Sequence, residues 1–161
     1  MLKQGGILIA LGMFVLLVTC AARAQQPDVT AMKKLSFLSG AWRCTVEAGT
    51  SNGLVQDVTY SFSPDGLWMT ELSQDSGPGH NDWGTQIWGY DARAGKLVAY
   101  NFTPIGVFTK SVDGWINGAF VSHRDDNGAT VSVRPISSGS MQWVIESADH
   151  SNIVKENCVR R

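Results

Sequence analysis

From residue 41 to residue 161, short runs rich in Val, Thr, Tyr, Phe and Trp alternate with polar turn residues at regular intervals. Such runs between breaks rich in Gly, Pro, Asn and Asp are typical of strands joined by hairpins. Nine breaks interrupt the runs, at Ser51-Asn52-Gly53, Pro64-Asp65-Gly66, Gly77-Pro78-Gly79, 91–95, 104–106, Asp113-Gly114, Asp126-Asn127-Gly128, Ser137-Ser138-Gly139 and 149–152. The pattern therefore predicts ten strands.

The short connections indicate how these strands pair. A parallel pair needs a crossover of about a dozen residues or more, so the sheet must be antiparallel. An open sheet would leave two exposed edges, and closing it into a barrel removes them. A two-sheet sandwich is the competing all-β arrangement, but the regular turn spacing favours an up-and-down barrel. We therefore predict one all-β antiparallel barrel of about ten strands over residues 41–161.

The segment before the strands predicts a spacer and a short helix within residues 25–40. Asp28 or Thr30 can cap the helix, because their side-chain oxygens accept hydrogen bonds from free N–H groups of the first turn. Ser39-Gly40 ends it. The side chains expected to pack against the barrel are those of Met32, Leu35, Phe37 and Leu38.

The N-terminal residues predict export. Lys3 precedes an unbroken run of apolar residues and glycine over residues 7–18, and Ala22-Arg23-Ala24 has the small-x-small pattern of a signal-peptidase site. The run is shorter than the roughly 20 residues that cross a bilayer, and no second one follows. We expect a signal peptide over residues 1–24, a periplasmic or secreted domain, and no integral membrane segment after cleavage. Lipid attachment at Cys20 is the alternative, although Thr19 is unusual before a lipidated cysteine.

Charge and cysteine content refine this picture. The chain carries 13 basic and 14 acidic side chains, and they are scattered without a basic stripe. A nucleic-acid partner would need basic residues gathered on one face, so none is predicted. Signal cleavage would leave Cys44 and Cys158 as the two remaining cysteines. Two cysteines in an oxidising compartment most often pair, so we expect a disulfide between them.

The start of the first strand carries a family resemblance. Phe37-Leu38-Ser39-Gly40-Ala41-Trp42, a helical approach followed by Gly-x-Trp, resembles the calycin superfamily of lipocalins and fatty-acid-binding proteins. Leu35-Ser36-Phe37-Leu38 and the later Phe62-Ser63-Pro64-Asp65-Gly66 hairpin are similar to bacterial lipocalin-like domains of unknown function and to the nearby haem-binding nitrobindin branch. The strand plan extends this resemblance over nearly the whole chain after the signal peptide.

The resemblance implies roles for residues at the two ends of the domain. In lipocalins, the Trp of this motif packs across the barrel base beneath an Arg that follows the last strand, which implies Trp42 and Arg160 here. Barrel closure places the first and last strands side by side and antiparallel. If Cys44 faces Cys158, Trp42 lies opposite Arg160, so the disulfide and the resemblance predict the same register.

The many aromatic residues suggest an apolar cavity, or alternatively a barrel that is simply filled by large side chains. Reading each strand with a period of two predicts Val58-Tyr60-Phe62, Val98-Tyr100-Phe102 and Met141-Trp143-Ile145 as inward stripes. The inward side of residues 84–90 stays unassigned, because both faces carry large residues. The candidate cavity residues are Tyr60, Phe62, Glu71, Tyr100, Phe102, Met141 and Trp143.

The leading functional hypothesis is an exported barrel that binds a small, hydrophobic molecule. An envelope structural or interaction protein is the first alternative, suggested by aromatic residues on both faces of residues 82–90. No hydrolase elbow, paired-His zinc motif or phosphate-binding glycine loop occurs, so no catalytic residue is predicted. Glu71 or Glu146 would serve in a lumen-carboxylate enzyme. His80, His123 and His150 lie near turns without metal-ligand spacing, so no metal or cofactor is predicted, and His150 is the haem-ligand candidate that the nitrobindin resemblance suggests.

Overall fold

A computed structural model describes residues 29–48, 51–77, 79, 81–104, 106 and 108–161. The predicted signal peptide, the lipidation alternative at Cys20 and the cap residue Asp28 lie outside these ranges. The elements are α1 (Val29–Lys33), a 3-10 turn (Lys34–Phe37), β1 (Gly40–Ala48), β2 (Val55–Phe62), β3 (Trp68–Ser76), β4 (Trp83–Asp91), β5 (Lys96–Phe102), β6 (Phe108–Ile116), β7 (Ala119–Arg124), β8 (Thr130–Ser137), β9 (Ser140–Glu146) and β10 (Ile153–Arg160). None of the helices in these ranges has the length and apolar composition needed to cross a membrane.

The ten strands form one closed antiparallel barrel. Each strand pairs with its neighbours in the chain, and β1 pairs with β10 to complete the ring. The predicted all-β class, the strand number, the antiparallel pairing and the preceding short helix are therefore confirmed. Closure leaves every strand hydrogen-bonded on both sides, which removes the exposed edges that an open sheet would present.

The pairing that closes the barrel has the register predicted from the cysteines. Trp42 lies opposite Arg160 and Cys44 lies opposite Cys158. Cys44 and Cys158 form a disulfide across a sequence separation of 114 residues. The disulfide thus joins the first and last strands at a point where the backbone already pairs them.

We call the end at which β1 begins and β10 ends the base. There the Arg160 guanidinium lies over the Trp42 ring, 4.3 Å from its centroid, as the calycin resemblance predicts. The same guanidinium donates hydrogen bonds to the carbonyl oxygens of Phe37, Ser39 and Ser138. Gly40 has φ of +116°, and a Cβ atom there would overlap the Arg160 guanidinium. The glycine of the Gly-x-Trp motif is therefore required both by the backbone and by the arginine above it.

The helical segment fills the base of the barrel. Met32, Leu35 and Leu38 are almost completely buried, and they belong to one apolar cluster with Trp42 and Met69. The Trp42 indole N–H donates to the carbonyl oxygen of Leu38, so the polar atom of this buried ring is also satisfied. The half of the barrel nearest the base is consequently a packed core.

One predicted turn is wrong. β6 runs without a break through Asp113-Gly114, and the chain reverses instead at Asn117-Gly118. Both turn residues have positive φ, 51° and 77°, as a two-residue type I′ hairpin requires. Asn-Gly is the strongest sequence signal for that turn, whereas a glycine within a strand needs no reversal of the chain. The number of strands is unaffected, because one break replaces the other.

Candidate functional site

The half of the barrel away from the base encloses a cavity of about 410 Å³. We call its open end, where β1 ends and β2 begins, the mouth. Because side chains alternate across a strand, each strand contributes every second residue to the lumen. All strands except β1 contribute side chains to the cavity wall. The site is therefore assembled from residues that are distant in sequence.

Aromatic rings form the floor of this cavity. The Trp88 ring lies at its centre, with ring centroids 5.9 Å from Tyr60, 5.4 Å from Phe120 and 6.4 Å from Trp143. Such tilted and edge-on arrangements are favourable for aromatic pairs. The floor is thus a rigid apolar surface that separates the cavity from the packed base.

The wall above the floor is polar. Thr109 and Ser111 on β6 and Ser122 on β7 are buried, yet their side chains line the cavity. Gln56 on β2 also lines it and donates a 2.7 Å hydrogen bond to Asp75 on β3. An interior selected only for packing would carry apolar side chains at these positions. The wall therefore offers hydrogen-bonding groups to whatever occupies the lumen.

Three buried polar atoms on residues that line the cavity lack hydrogen-bond partners among the described residues. They are Oε2 of Glu71, Nε1 of Trp88 and Oγ of Ser111. All three residues line the same cavity. Leaving a buried donor or acceptor unpaired costs about 1–3 kcal/mol, and most such groups in native proteins are paired. These three residues therefore offer hydrogen-bonding groups that no other described residue pairs.

Burial perturbs the acidic groups of the lumen. The pKa of Glu71 is raised to about 8, first by burial and then by the negative charge of Glu156, while hydrogen bonding from Tyr60 opposes the rise. Burial also raises the pKa of Glu156 to about 7, with a contribution from Asp75. The pKa of Tyr60 lies well above its usual range because its hydroxyl is buried beside Glu71. Near neutral pH, the empty cavity therefore holds Glu71 mainly as the neutral acid.

Glu156 lies directly beside the disulfide. One of its carboxylate oxygens and the sulfurs of Cys44 and Cys158 are all within 4.8 Å of one another. The two sulfurs are bonded to each other, so they are not available as thiolate ligands for a metal ion. The disulfide instead forms part of the apolar surroundings that desolvate the Glu156 carboxyl group.

Three of the seven predicted cavity residues line the cavity, namely Tyr60, Glu71 and Trp143. Phe62 and Met141 point inward as predicted but belong to the packed core below the floor. Tyr100 and Phe102 are not part of the wall. The ligand-binding role of the three lining residues stays a prediction, whereas their convergence on one cavity is observed.

The inward stripe predicted for Val98, Tyr100 and Phe102 is wrong. The register pairs Ala99 with Trp88 and Asn101 with Gln86, so the odd-numbered residues of β5 face the lumen. Alternation then places Tyr100 and Phe102 on the outer surface, where the Phe102 side chain is 37% exposed. The prediction failed because apolar character does not mark the inner face of this strand.

The outer face of the neighbouring strands has the same apolar character. Trp68, Leu72 and Ile87 are exposed there, and the exposed Trp83 at the start of β4 also borders the cavity. Trp68 lies over Gly89, at which any Cβ atom would overlap the indole ring. With large apolar residues on both faces of β3, β4 and β5, periodicity alone does not distinguish inside from outside.

Sequence reasoning did not include several residues that define the site. Trp88 and Phe120 were among many aromatics, and Glu156 lies in a short, mostly polar strand. A usable signal was the alternation of small hydroxyl residues, Thr109-x-Ser111 on β6, which are buried at both positions. Polar residues at period two inside a predicted barrel indicate a lumen rather than a filled core.

The other candidates from the sequence lie outside the cavity. Glu146 ends β9 on the outer face, and its Oε1 is 2.6 Å from Nδ1 of His150. The His150 side chain is 77% exposed, and the residue is not part of the cavity wall. Haem ligation by His150 therefore stays a hypothesis from the family resemblance, without geometric support.

Solved protein structures include a neighbour of this chain. The chain is similar to the solved structure of the S-type phycobiliprotein lyase CPES from Guillardia theta, with a TM-score of 0.48 and 12% sequence identity. The match covers 80% of this chain and 91% of the lyase chain. No protein-family model matches the sequence, and no curated protein matches it either. The chemistry of the cavity residues is therefore the basis for proposing a function.

Proposed function

We propose that this protein is an exported, calycin-type barrel that binds a small amphipathic molecule in its mouth cavity. The observation that carries the proposal is the set of three unpartnered buried atoms, on Glu71, Trp88 and Ser111, that line one cavity. The protein itself supplies no partner for these atoms among the described residues, and a ligand in the cavity would supply them. The sequence suggested a hydrophobic ligand, and the polar wall refines this to an amphipathic one.

The size and lining of the cavity support a small molecule. Its volume of about 410 Å³ falls within the range of about 300–1,000 Å³ that is usual for small-molecule sites. The aromatic floor around Trp88 would supply affinity through apolar contact, and the polar wall would orient the ligand. Both features are typical of binding sites in barrels whose lumen is not filled by side chains.

The base supports the calycin assignment, and the disulfide supports export. Gly40, Trp42 and Arg160 have the arrangement that the lipocalin resemblance implies, including the guanidinium stacked on the indole ring. The disulfide between Cys44 and Cys158 suits an oxidising compartment, in agreement with the signal-like N-terminal sequence.

The two alternatives explain less of the structure. An envelope interaction protein would use the exposed outer face that includes Trp83 and Ile87, but it leaves the unpartnered atoms inside the lumen without a role. A lumen-carboxylate enzyme would use Glu71 as a protonated general acid in the same cavity. Such an enzyme would also have to bind a small molecule there, so the binding proposal is the more economical one.

A fluorescent probe tests the proposal. N-phenyl-1-naphthylamine, a neutral aromatic dye, should become fluorescent on entering the cavity and should accept energy from Trp88. In Ser111→Phe, a phenyl ring would occupy the lumen, and we expect probe affinity to fall at least about tenfold. Titration of dye into each protein, followed by dye emission under tryptophan excitation, measures the effect.

Val112→Phe is the matched control, because Val112 is the next residue of β6 and faces outward. It should bind the dye as the wild type does. Equal dye binding by the wild type and both variants would refute the cavity as a binding site.

A further inference from the structure

We propose that the ligand is an organic cation, an amine joined to a flat aromatic group, with its ammonium held by Glu71. This inference rests on the proposed function and adds the chemical class of the ligand. It starts from the charge of the cavity wall. The ionisable carboxyl groups in the wall are those of Glu71, Asp75, Asp82 and Glu156.

Arg124, a basic residue of the described wall, does not neutralise these carboxyl groups. Arg124 lines the cavity, but its guanidinium makes a two-pronged pair with Asp126, with Nη2 2.9 Å from Oδ2. Within the part of the chain that the structure describes, no other lysine or arginine lines the cavity. An anionic ligand would oppose the ionisation of these carboxyl groups, whereas a cation would stabilise their charged forms.

Within the acidic set, one fully buried oxygen atom lacks a partner. Glu71 Oε2 has no contact with solvent and no hydrogen-bond partner among the described residues. Asp75 already accepts a hydrogen bond from Gln56. An ammonium group carries three N–H donors and no acceptor, and hydrogen bonds between charged partners are the strong ones. An amine would therefore supply the missing hydrogen-bond partner of the Glu71 carboxyl group.

Two further unpartnered groups, on Trp88 and Ser111, independently indicate a ligand. They also indicate the chemistry of the end of the ligand that lies away from Glu71. Trp88 is 2% exposed and Ser111 is 5% exposed, yet Trp88 Nε1 and Ser111 Oγ have no partner among the described residues. The indole N–H can only donate, so it would pair with an acceptor on the ligand near the floor. Ser111 can donate or accept. A phenol or a similar oxygen on the aromatic body would meet both requirements.

The floor suits the rest of such a ligand. The rings of Tyr60, Phe120 and Trp143 pack around Trp88 in tilted and edge-on arrangements, and an aromatic body would pack against them in the same way. The faces of Trp and Tyr rings also attract cations, more strongly where water is excluded. The electron-rich floor and the acidic wall thus favour the same ligand.

The proton of Glu71 would leave when an amine binds. Its carboxyl group faces Tyr60 on β2, Gln86 on β4 and Glu156 on β10, and shares the cavity with Asp75, Asp82 and Arg124. Burial and the surrounding acids raise the pKa of Glu71 to about 8. An ammonium beside it favours the carboxylate, so binding near pH 7 releases a proton to the solvent. Amine affinity should then increase as the pH rises from 6 to 8.

Three probes with the same 4-hydroxyphenyl ring separate the charge of the head group from its size. Tyramine carries an ammonium, tyrosol a hydroxyl and 3-(4-hydroxyphenyl)propionate a carboxylate. Calorimetric titration of the full chain at pH 7 should show tyramine binding at least about tenfold more tightly than tyrosol, and the carboxylate binding most weakly. Titration in phosphate and in Tris should reveal proton release with tyramine and none with tyrosol.

Glu71→Gln should weaken tyramine binding by about tenfold or more while tyrosol affinity changes by less than about twofold. Unchanged tyrosol binding shows that the variant keeps a folded cavity. Glu146→Gln, which removes a carboxyl group from the outer face, is the matched control and should leave both affinities unchanged. If tyramine loses nothing in Glu71→Gln, the assignment of Glu71 is wrong.

The probes also distinguish this inference from the proposed function. If the neutral dye binds but tyramine does not exceed tyrosol and the carboxylate, or if none of the three binds, the cation inference is overturned and small-molecule binding stands. If neither the dye nor any of the three probes binds, the proposed function fails as well.

Discussion

The base and the mouth of this barrel differ in whether their buried polar groups have hydrogen-bond partners. At the base, the guanidinium of Arg160 donates to three carbonyl oxygens and the Trp42 indole donates to Leu38. In the mouth cavity, atoms of Glu71, Trp88 and Ser111 are buried without partners among the described residues. Both regions belong to the same ten strands, so the difference does not come from the fold.

We infer from this difference that the base stabilises the fold and that the mouth binds a ligand. The base is formed where β1 begins and β10 ends, and its packed core increases the stability of the fold. The mouth cavity raises the pKa of two carboxyl groups, and near neutral pH a raised carboxyl pKa lowers the free energy of unfolding. Groups that destabilise the free protein are expected where a ligand binds. Three perturbations test this division.

Removal of the disulfide should have the largest effect. The bond between Cys44 and Cys158 spans 114 residues, and the loop-entropy model gives about 4.7 kcal/mol for a loop on the order of 100 residues. We expect the double substitution Cys44→Ala with Cys158→Ala to lower the free energy of unfolding by about 4–5 kcal/mol. Urea denaturation followed by tryptophan fluorescence measures this change.

Reduction of the wild type with dithiothreitol is the control and should reproduce most of the loss. Dye affinity, measured in buffer where the double variant is still folded, should stay at the wild-type level because neither cysteine lines the cavity. A stability loss below about 1 kcal/mol would show that the disulfide does not stabilise the barrel closure.

The second effect concerns the pH dependence of stability. The pKa of Glu71 is about 8 in the folded protein and 4.5 for the ordinary side chain. Between these values the folded state binds more protons than the unfolded state, so the free energy of unfolding falls as the pH rises. The slope from one such group approaches about 1.4 kcal/mol per pH unit. Glu71→Gln should remove most of the decline between pH 7 and 8, which denaturation at several pH values measures.

Glu146→Gln provides the comparison for this experiment. It removes a carboxyl group that is partly exposed on the outer face and hydrogen-bonded to His150. The variant should retain the wild-type decline between pH 7 and 8. Parallel curves for the wild type and Glu71→Gln would contradict the burial of an ionisable acid in the lumen.

A third effect, similar in size to the second, is expected at the base. Arg160→Lys keeps the positive charge but loses the planar group that stacks on Trp42 and reaches three carbonyl oxygens. We expect a loss of about 1–2 kcal/mol in the free energy of unfolding. Arg161→Lys alters the next residue, whose guanidinium reaches the exposed carboxylate of Asp57 at 3.2 Å, and should cost less than about 0.5 kcal/mol. Equal losses would show that the Arg160 contacts contribute nothing specific.

Much of the fold could be predicted because its signals are local. Turn residues mark eight of the nine connections, and the failure at Asp113-Gly114 came from passing over Asn117-Gly118 nearby. The closing register required two further assumptions, a disulfide and an antiparallel neighbour, and both hold. The Trp42–Arg160 contact followed from that register.

The site could be predicted only in part. Tyr60, Glu71 and Trp143 were correctly placed at the lumen, but Tyr100 and Phe102 face outward. Strand alternation gives two possible faces, and a wrong choice moves every side chain of the strand to the other side. β5 is apolar on both faces, so nothing local decides between them.

The order of residues along the chain was sufficient for the strand plan, the short helix and the pairing of the chain ends, because each depends on neighbours in sequence or on a covalent partner. Which side of β5 lines the lumen, where the packed core stops and which polar atoms are left without partners depend on contacts among nine strands. Burial and electrostatic fields are sums over such distant neighbours. The acidic character of the cavity, with Glu71 and Glu156 held at raised pKa, therefore exists only once the barrel has closed.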